Sequence, residues 1–223
     1  MKKLHFVVVV CLILVSAFTV QAQFKMAIGP VLGLNFNLHG GSDLQESGSG
    51  FGLVVGGQAD MSFSKMIGLQ TTLFFYDNRS GSFSSTGNQQ GINYTVDVDA
   101  SVAYFEIEPL FKLTLPDAPI YFVGGPSLGF SVEGETNVKT TITSQGYTFP
   151  GGATSQTTKS SIKDMNTRFE MKFGGGWVMP LSRGMRINSA LVFGYGLTNV
   201  QKDVKWKILT FGLLTGIEFD VVK

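Results

Sequence analysis

Along residues 24–38 the apolar and small or polar positions alternate without a break. Phe24, Met26, Ile28, Pro30, Leu32, Leu34, Phe36 and Leu38 fall on one side, and Lys25, Ala27, Gly29, Val31, Gly33, Asn35 and Asn37 on the other. Successive side chains of a β-strand point to opposite faces, so this pattern predicts a two-faced strand. The run is about twice the usual strand length of ~5–6 residues. It is long enough for a tilted transmembrane strand, which needs ~9–11. The same alternation returns over residues 51–63, 66–77, 101–115, 120–133, 167–179, 185–197 and 204–221. The expected fold is all-β, an eight-stranded antiparallel up-and-down transmembrane β-barrel.

The connections are sorted by length. Residues 39–50, 78–98 and 134–166 read as long polar loops, whereas residues 64–65, 116–119 and 180–184 are tight turns. A more modest connection, residues 198–203, precedes the last strand. Short turns at one end and longer loops at the other are the habit of membrane barrels. An even strand count brings both termini to the periplasmic side. In residues 134–166 the Thr, Val and Ile content suggests that the flanking strands extend past the membrane as a hairpin.

Alternation alone does not say which face is outside, because a lipocalin also has eight strands and keeps its apolar face inside. Volume decides. An eight-stranded barrel has an interior just wide enough for side chains to fill it. Each strand offers five or more apolar residues, often Phe, Leu or Met, which is too bulky a set for that lumen. The opposite face is Gly, Ser, Thr and a few charges and suits a cramped polar interior, so the apolar face is expected to meet lipid. Phe63 and Trp177 near the inner ends, with Phe36, Phe75 and Tyr195 near the outer ends, fit aromatic girdles. The inward charges form two sets. Asp60, Lys112, Arg186 and Glu218 come low in the barrel; Glu106, Glu108, Arg168, Glu170 and Lys172 come higher. Near-balanced sets in a narrow interior predict salt bridges that plug the lumen, since an unpaired buried ion costs several kcal/mol.

Composition narrows the class further. Only 15% of the 223 residues are charged, against roughly 25% in a soluble domain. With 28 Gly and 19 Phe the chain suits a barrel that must turn and fill a narrow interior. Residues 1–22 read as a signal peptide, with Lys2 and Lys3 before an apolar core over residues 6–15 and a Val20-Gln21-Ala22 cleavage site. The barrel domain is then 23–223. Cys11 lies in the signal, which leaves the mature chain no disulfide and no thiolate. A net charge of +1 with dispersed basic residues gives no nucleic-acid patch.

Within the fourth run, YFEIEPLFKLTL resembles the strand reading aromatic-Leu-Glu-Ile-Pro-Leu-Leu-Leu-Lys in PorT-like outer-membrane β-barrel proteins. The resemblance continues through YFVGGPSLGF, FGGGWVMP and GLLTGIEF and covers the mature chain. Glu108 departs from it, standing where the family has Pro, and the chain ends DVVK rather than on an aromatic residue, with Phe219 close by. The resemblance implies insertion in a Gram-negative outer membrane and implies no reaction.

Candidate chemistry is sparse. His39, beside Ser42 and Asp43, could in principle join a nucleophilic triad, but reads as a solvated loop histidine. Glu106 and Glu108 share a face and read as part of a structural ion network rather than an acid/base pair. Gly124-Gly125-Pro126 and Gly174-Gly175-Gly176 sit inside strands, without the following helix that a phosphate loop requires. The expectation is a non-enzymatic, monomeric outer-membrane protein with no cofactor or metal. Lipid and, through the loops, envelope or extracellular proteins are its partners; a narrow channel or a transporter of small solutes or hydrophobic ligands is the alternative.

Overall fold

A computed structural model describes residues 24–44 and 46–222. The expected signal segment lies outside the described residues. The strands are β1 (Lys25–Gly40), β2 (Gly48–Ser62), β3 (Ile67–Gln89), β4 (Ile92–Thr114), β5 (Ile120–Ile142), β6 (Ser155–Ser161), β7 (Arg168–Ser182), β8 (Met185–Gly196) and β9 (Lys207–Val222). Eight of them pair in antiparallel sequence order and close on themselves through β1–β9, with β5 bridging β4 and β7. The short β6 lies outside the ring, paired with the far half of β5.

The stagger of the barrel can be counted from its register. Partners followed from Met26 through Met61, Leu69, Phe111, Gly124, Phe173, Phe193 and Phe211 return to β1 at Phe36, ten residues on. Closing a sheet requires such a shear, with strands tilted by about 35–45°. The circuit runs through the outward face, which is apolar over a broad band that includes exposed Leu32, Phe51, Phe75, Phe111, Leu191 and Leu213. The alternation read from sequence therefore has its large apolar side pointing out.

The interior is less polar than the sequence pattern suggests. Val31, Val54, Phe74, Leu110, Tyr121, Val123, Ala190, Val192 and Leu214 form an inward apolar layer. Above it, near the end with the long strands, Ala100, Val102, Tyr104, Val200, Trp206 and Ile208 form a second. Single inward apolar residues among glycines and charges do not stand out in one strand, yet eight strands bring them to one level. The inward glycines make room for the layers between. At Gly194 an added Cβ would collide with the Glu170 carboxylate, and at Gly212 it would meet Asn35 Oδ1 at 2.9 Å.

The connections differ from the expected ones, and the β1–β2 connection is shorter, since β1 runs to Gly40 and β2 starts at Gly48. Residues 78–98 are not a loop: β3 and β4 stay paired to Gln89↔Ile92 and turn at Gln90 and Gly91, both at positive φ. The run reads as loop because a strand beyond the apolar band needs no large side chains; it is held by its ladder and by cross-strand pairs such as Ser82–Asp99 (2.6 Å) and Ser84–Asp97 (2.7 Å). Residues 134–166 contain the far half of β5 and β6, in keeping with the hairpin suggested by their composition. The last strand begins at Lys207 rather than 204, and Trp206 is folded into the barrel mouth.

Candidate functional site

The lumen charges expected from the sequence are inward and buried, apart from the partly exposed Arg186 guanidinium. In the lower cluster Asp60 pairs with Lys112 and with Arg186 (3.2 Å), and Arg186 Nε donates to Glu218 at 2.6 Å. Gln58 and Asn188 amides also donate to Glu218, at 2.6 and 2.7 Å. The Lys112 ammonium lies 4.0 Å from the Tyr121 ring centroid. β2, β4, β8 and β9 thus cross-link through one knot of two acids and two bases.

In the upper cluster Lys172 on β7 pairs with Glu106 (2.5 Å) and Glu108 on β4 and lies 3.7 Å from Glu170. Arg168 holds Glu170 at 2.8 Å. Two members escaped the sequence reading. Asp77 and Arg79 of β3 are fully buried here, bonded to each other at 2.5 Å, and Arg79 also reaches Glu106 at 3.3 Å and Glu170 at 3.9 Å. Asn35 Nδ2 donates to Asp77 at 2.8 Å. The set is therefore four acids and three bases rather than three and two.

The cause of the miss is a β-bulge. Val55 pairs with Tyr76 and Gly56 with Phe74, so β3 carries an extra residue at Phe75. Phe75 and Tyr76 both point outward, and Asp77 returns inward. Straight alternation from Phe75 would put Asp77 outside. A bulge bends the strand and re-aims a side chain, as it does here. The paired aromatic residues Phe75-Tyr76 before a charge were the one available signal.

These clusters and the apolar layer between them fill the lumen. A void bounded by Asn35, Phe74, Glu108, Lys172 and Leu214, among others, measures about 10 Å³. That is roughly the space for one water.

His39 is not a solvated loop residue. It ends β1 pointing inward, 1% exposed. Its Nε2 lies 3.0 Å from the Ser80 carbonyl, and its Nδ1 accepts the Trp206 indole N–H at 3.0 Å. A carbonyl can only accept and an indole N–H only donate, so His39 is the neutral tautomer with its proton on Nε2. Both nitrogens are engaged, and Ser42 donates to Asp43 at 3.1 Å instead. Asp43 also accepts the Lys205 backbone N–H at 2.9 Å, which with the Ser42 bond holds its carboxyl below the usual range. The structure brings no His39–Ser42–Asp43 triad together.

The five aromatic residues expected in girdles all point outward. Trp177, Phe75 and Tyr195 are exposed, while Phe36 and Phe63 are partly covered by Phe51 and Phe24. Trp177 lies at the end with the short turns, opposite Ile120, and Tyr195 at the end with the long strands.

A family model described as an outer membrane protein beta-barrel domain matches residues 20–202. No curated protein matches the chain. Among solved structures, the outer membrane protein AlkL in lipid bilayers is similar at 10% identity and a TM-score of 0.49, with 91% of this chain and 92% of that one covered. The attachment invasion locus protein Ail of Yersinia pestis is similar at 13% identity and a TM-score of 0.40, covering 87% and 99%. Neisserial surface protein A is similar at 12% identity and a TM-score of 0.38, covering 89% and 97%.

Proposed function

Given that this chain belongs to the outer membrane β-barrel protein family, we propose that it is a sealed barrel that works by contact at its outer end. The observation that carries this reading is the pair of opposite-sign charge clusters packed across the lumen with an apolar layer between them. An ion-selective pore presents rings of one sign to its ion. Here each buried charge faces its opposite, and charges so engaged offer no path.

The finer assignments rest on further observations. The two termini share the end with the tight turns, which supports periplasmic termini and an outward β3–β4–β5–β6 sheet. The engagement of both His39 nitrogens supports a role without catalysis. The placement of YFEIEPLFKLTL in a barrel strand, β4, with Glu106 on its lumen side, supports kinship with the PorT-like group. Lipid is the partner of the apolar band. The exposed extensions are the surface for envelope or extracellular partners, and the barrel acts as a monomer.

The test pairs electrophysiology with topology. The pure protein in a planar bilayer is expected to give no steady current, and a peptide tag inserted beside Gly151 is expected to bind antibody on intact cells. Steady ion-selective currents would replace this reading with a channel. A tag reached only after the outer membrane is broken would invert the orientation.

A further inference from the structure

Above the upper apolar layer the barrel mouth holds a cavity of about 310 Å³. Its apolar wall includes Phe83 of β3, Val96, Val98 and Ala100 of β4, and Val204 with Trp206 from the connection before β9. On β4 the alternate residues Asp97 and Asp99 turn the other way and bind Ser84 and Ser82. The extension is thus amphipathic, and it turns its apolar side to this space, where Val96 and Val98 are only half-buried.

The floor is built rather than adventitious. Trp206 spends its one polar group on His39, and His39 is tied in turn to the Ser80 carbonyl. Phe83 meets Trp206 edge-on at 6.4 Å and His39 at 5.6 Å. The indole therefore lines the cavity as a fixed apolar surface with its donor engaged elsewhere. At the rim stand Asp43 and Glu46, with no Lys or Arg among the lining residues. Two carboxylates disfavour an anion. Asp43 is already committed to the Lys205 backbone and Ser42, so it offers little to a cation.

We propose that this cavity binds a small uncharged apolar molecule of one or two rings or a comparable alkyl body. A preformed space of about 300 Å³ or more with a mainly apolar wall is the usual form of a small-molecule site, and here Ser84, Ser85, Thr136 and Gln201 supply its uncharged polar edge. The volume is about twice that of an engineered cavity of ~150 Å³ that takes up benzene. The proposal deepens the reading above, naming what the outer end contacts, and rests on the extension standing in water beyond the membrane.

The chain has two tryptophans, so Trp177→Phe leaves Trp206 as the fluorescent reporter. The probe is bromobenzene, a heavy-atom quencher, added to the full protein in phosphatidylcholine vesicles. The expected result is saturable quenching of Trp206. Val98→Phe fills the cavity and should raise the half-saturating concentration at least tenfold. Ser85→Phe, on the rim, should do the same and serves if Val98→Phe does not fold, with heat-modifiable gel mobility reporting folding. Quenching that rises linearly with probe, or an unchanged half-saturation in the folded variants, would overturn the site. Ion currents with saturable quenching would refute the sealed lumen and leave the cavity standing; no current and no saturation would refute only the cavity.

Discussion

Lys172, like Arg79, faces three buried carboxylates in the upper cluster. Its ammonium faces Glu106, Glu108 and Glu170, all fully buried. Removing one partner from a buried pair typically costs about 3–5 kcal/mol, because the remaining charge has neither water nor a counter-ion. Lys172→Ala should lose on that order. Arg186→Ala should lose less, about 1.5–3 kcal/mol, the scale of charged hydrogen bonds. Glu218 keeps the Gln58 and Asn188 amides, Asp60 keeps Lys112, and the Arg186 side chain is already 26% exposed. Urea unfolding in vesicles, followed by cold gel mobility, should rank the two in that order, and the reverse order would contradict this account of the clusters. The nine charges of the two sets were legible residue by residue because each sits on the small-residue side of a regular strand. His39 was not, because its burial depends on Trp206, a residue 167 positions away in sequence.

At the level of the strand, what the alternation conveys is which face each residue takes, and it does so only while the period holds. In the fourth run Ala103 turns inward beside Val102 and Tyr104, in the fifth Ser131 joins Val132 on the outside where the pairing shifts, and the third kept its faces as far as Phe75. Beyond it the extra residue in β3 shifts the phase, and Asp77 and Arg79 become lumen residues that straight counting places outside. Deletion of Tyr76 separates phase from chemistry. The shortened strand would read Phe74 in, Phe75 out, Asp77 in, with Asp77 still opposite Val54 and Tyr104. This variant should fold into vesicles with normal heat-modifiable mobility. Deletion of Thr72, in the regular part of β3, slides residues 67–71 by one place and turns Gln70 to the outside and Leu69 to the lumen. A one-residue slip exchanges the faces of a strand, so that variant should not fold. Equal behaviour of the two deletions would show that the bulge is not what sets the phase.

Across the whole molecule, the ring and the extension draw on different stabilising forces. The ring is held by its closed ladder, the outward apolar band and the two ion clusters, all below the pair Ser82↔Asp99 on β3 and β4. The extension above that pair is held mainly by its own ladder and by side-chain hydrogen bonds between Ser, Asp and Asn. The sequence marks the ring clearly, because lipid-facing strands must carry large apolar residues. It marks the extension weakly, because a strand in water has no such requirement. The two should therefore be separable. Replacing residues 83–98 and residues 136–160 each by an Asn-Gly turn joins Ser82 to Asp99 and Glu135 to Ser161, positions already paired in register. Asn-Gly suits the two-residue turn that each junction needs. The shortened chain should still refold into vesicles and show heat-modifiable mobility, since neither ion cluster nor the inner apolar layer loses a residue. It should also lose saturable quenching of Trp206, because Phe83, Val96 and Val98 are gone from the cavity wall. Failure to refold would mean that the extension nucleates or braces the barrel, and the division between a lipid-held ring and a water-held outer sheet would have to be given up.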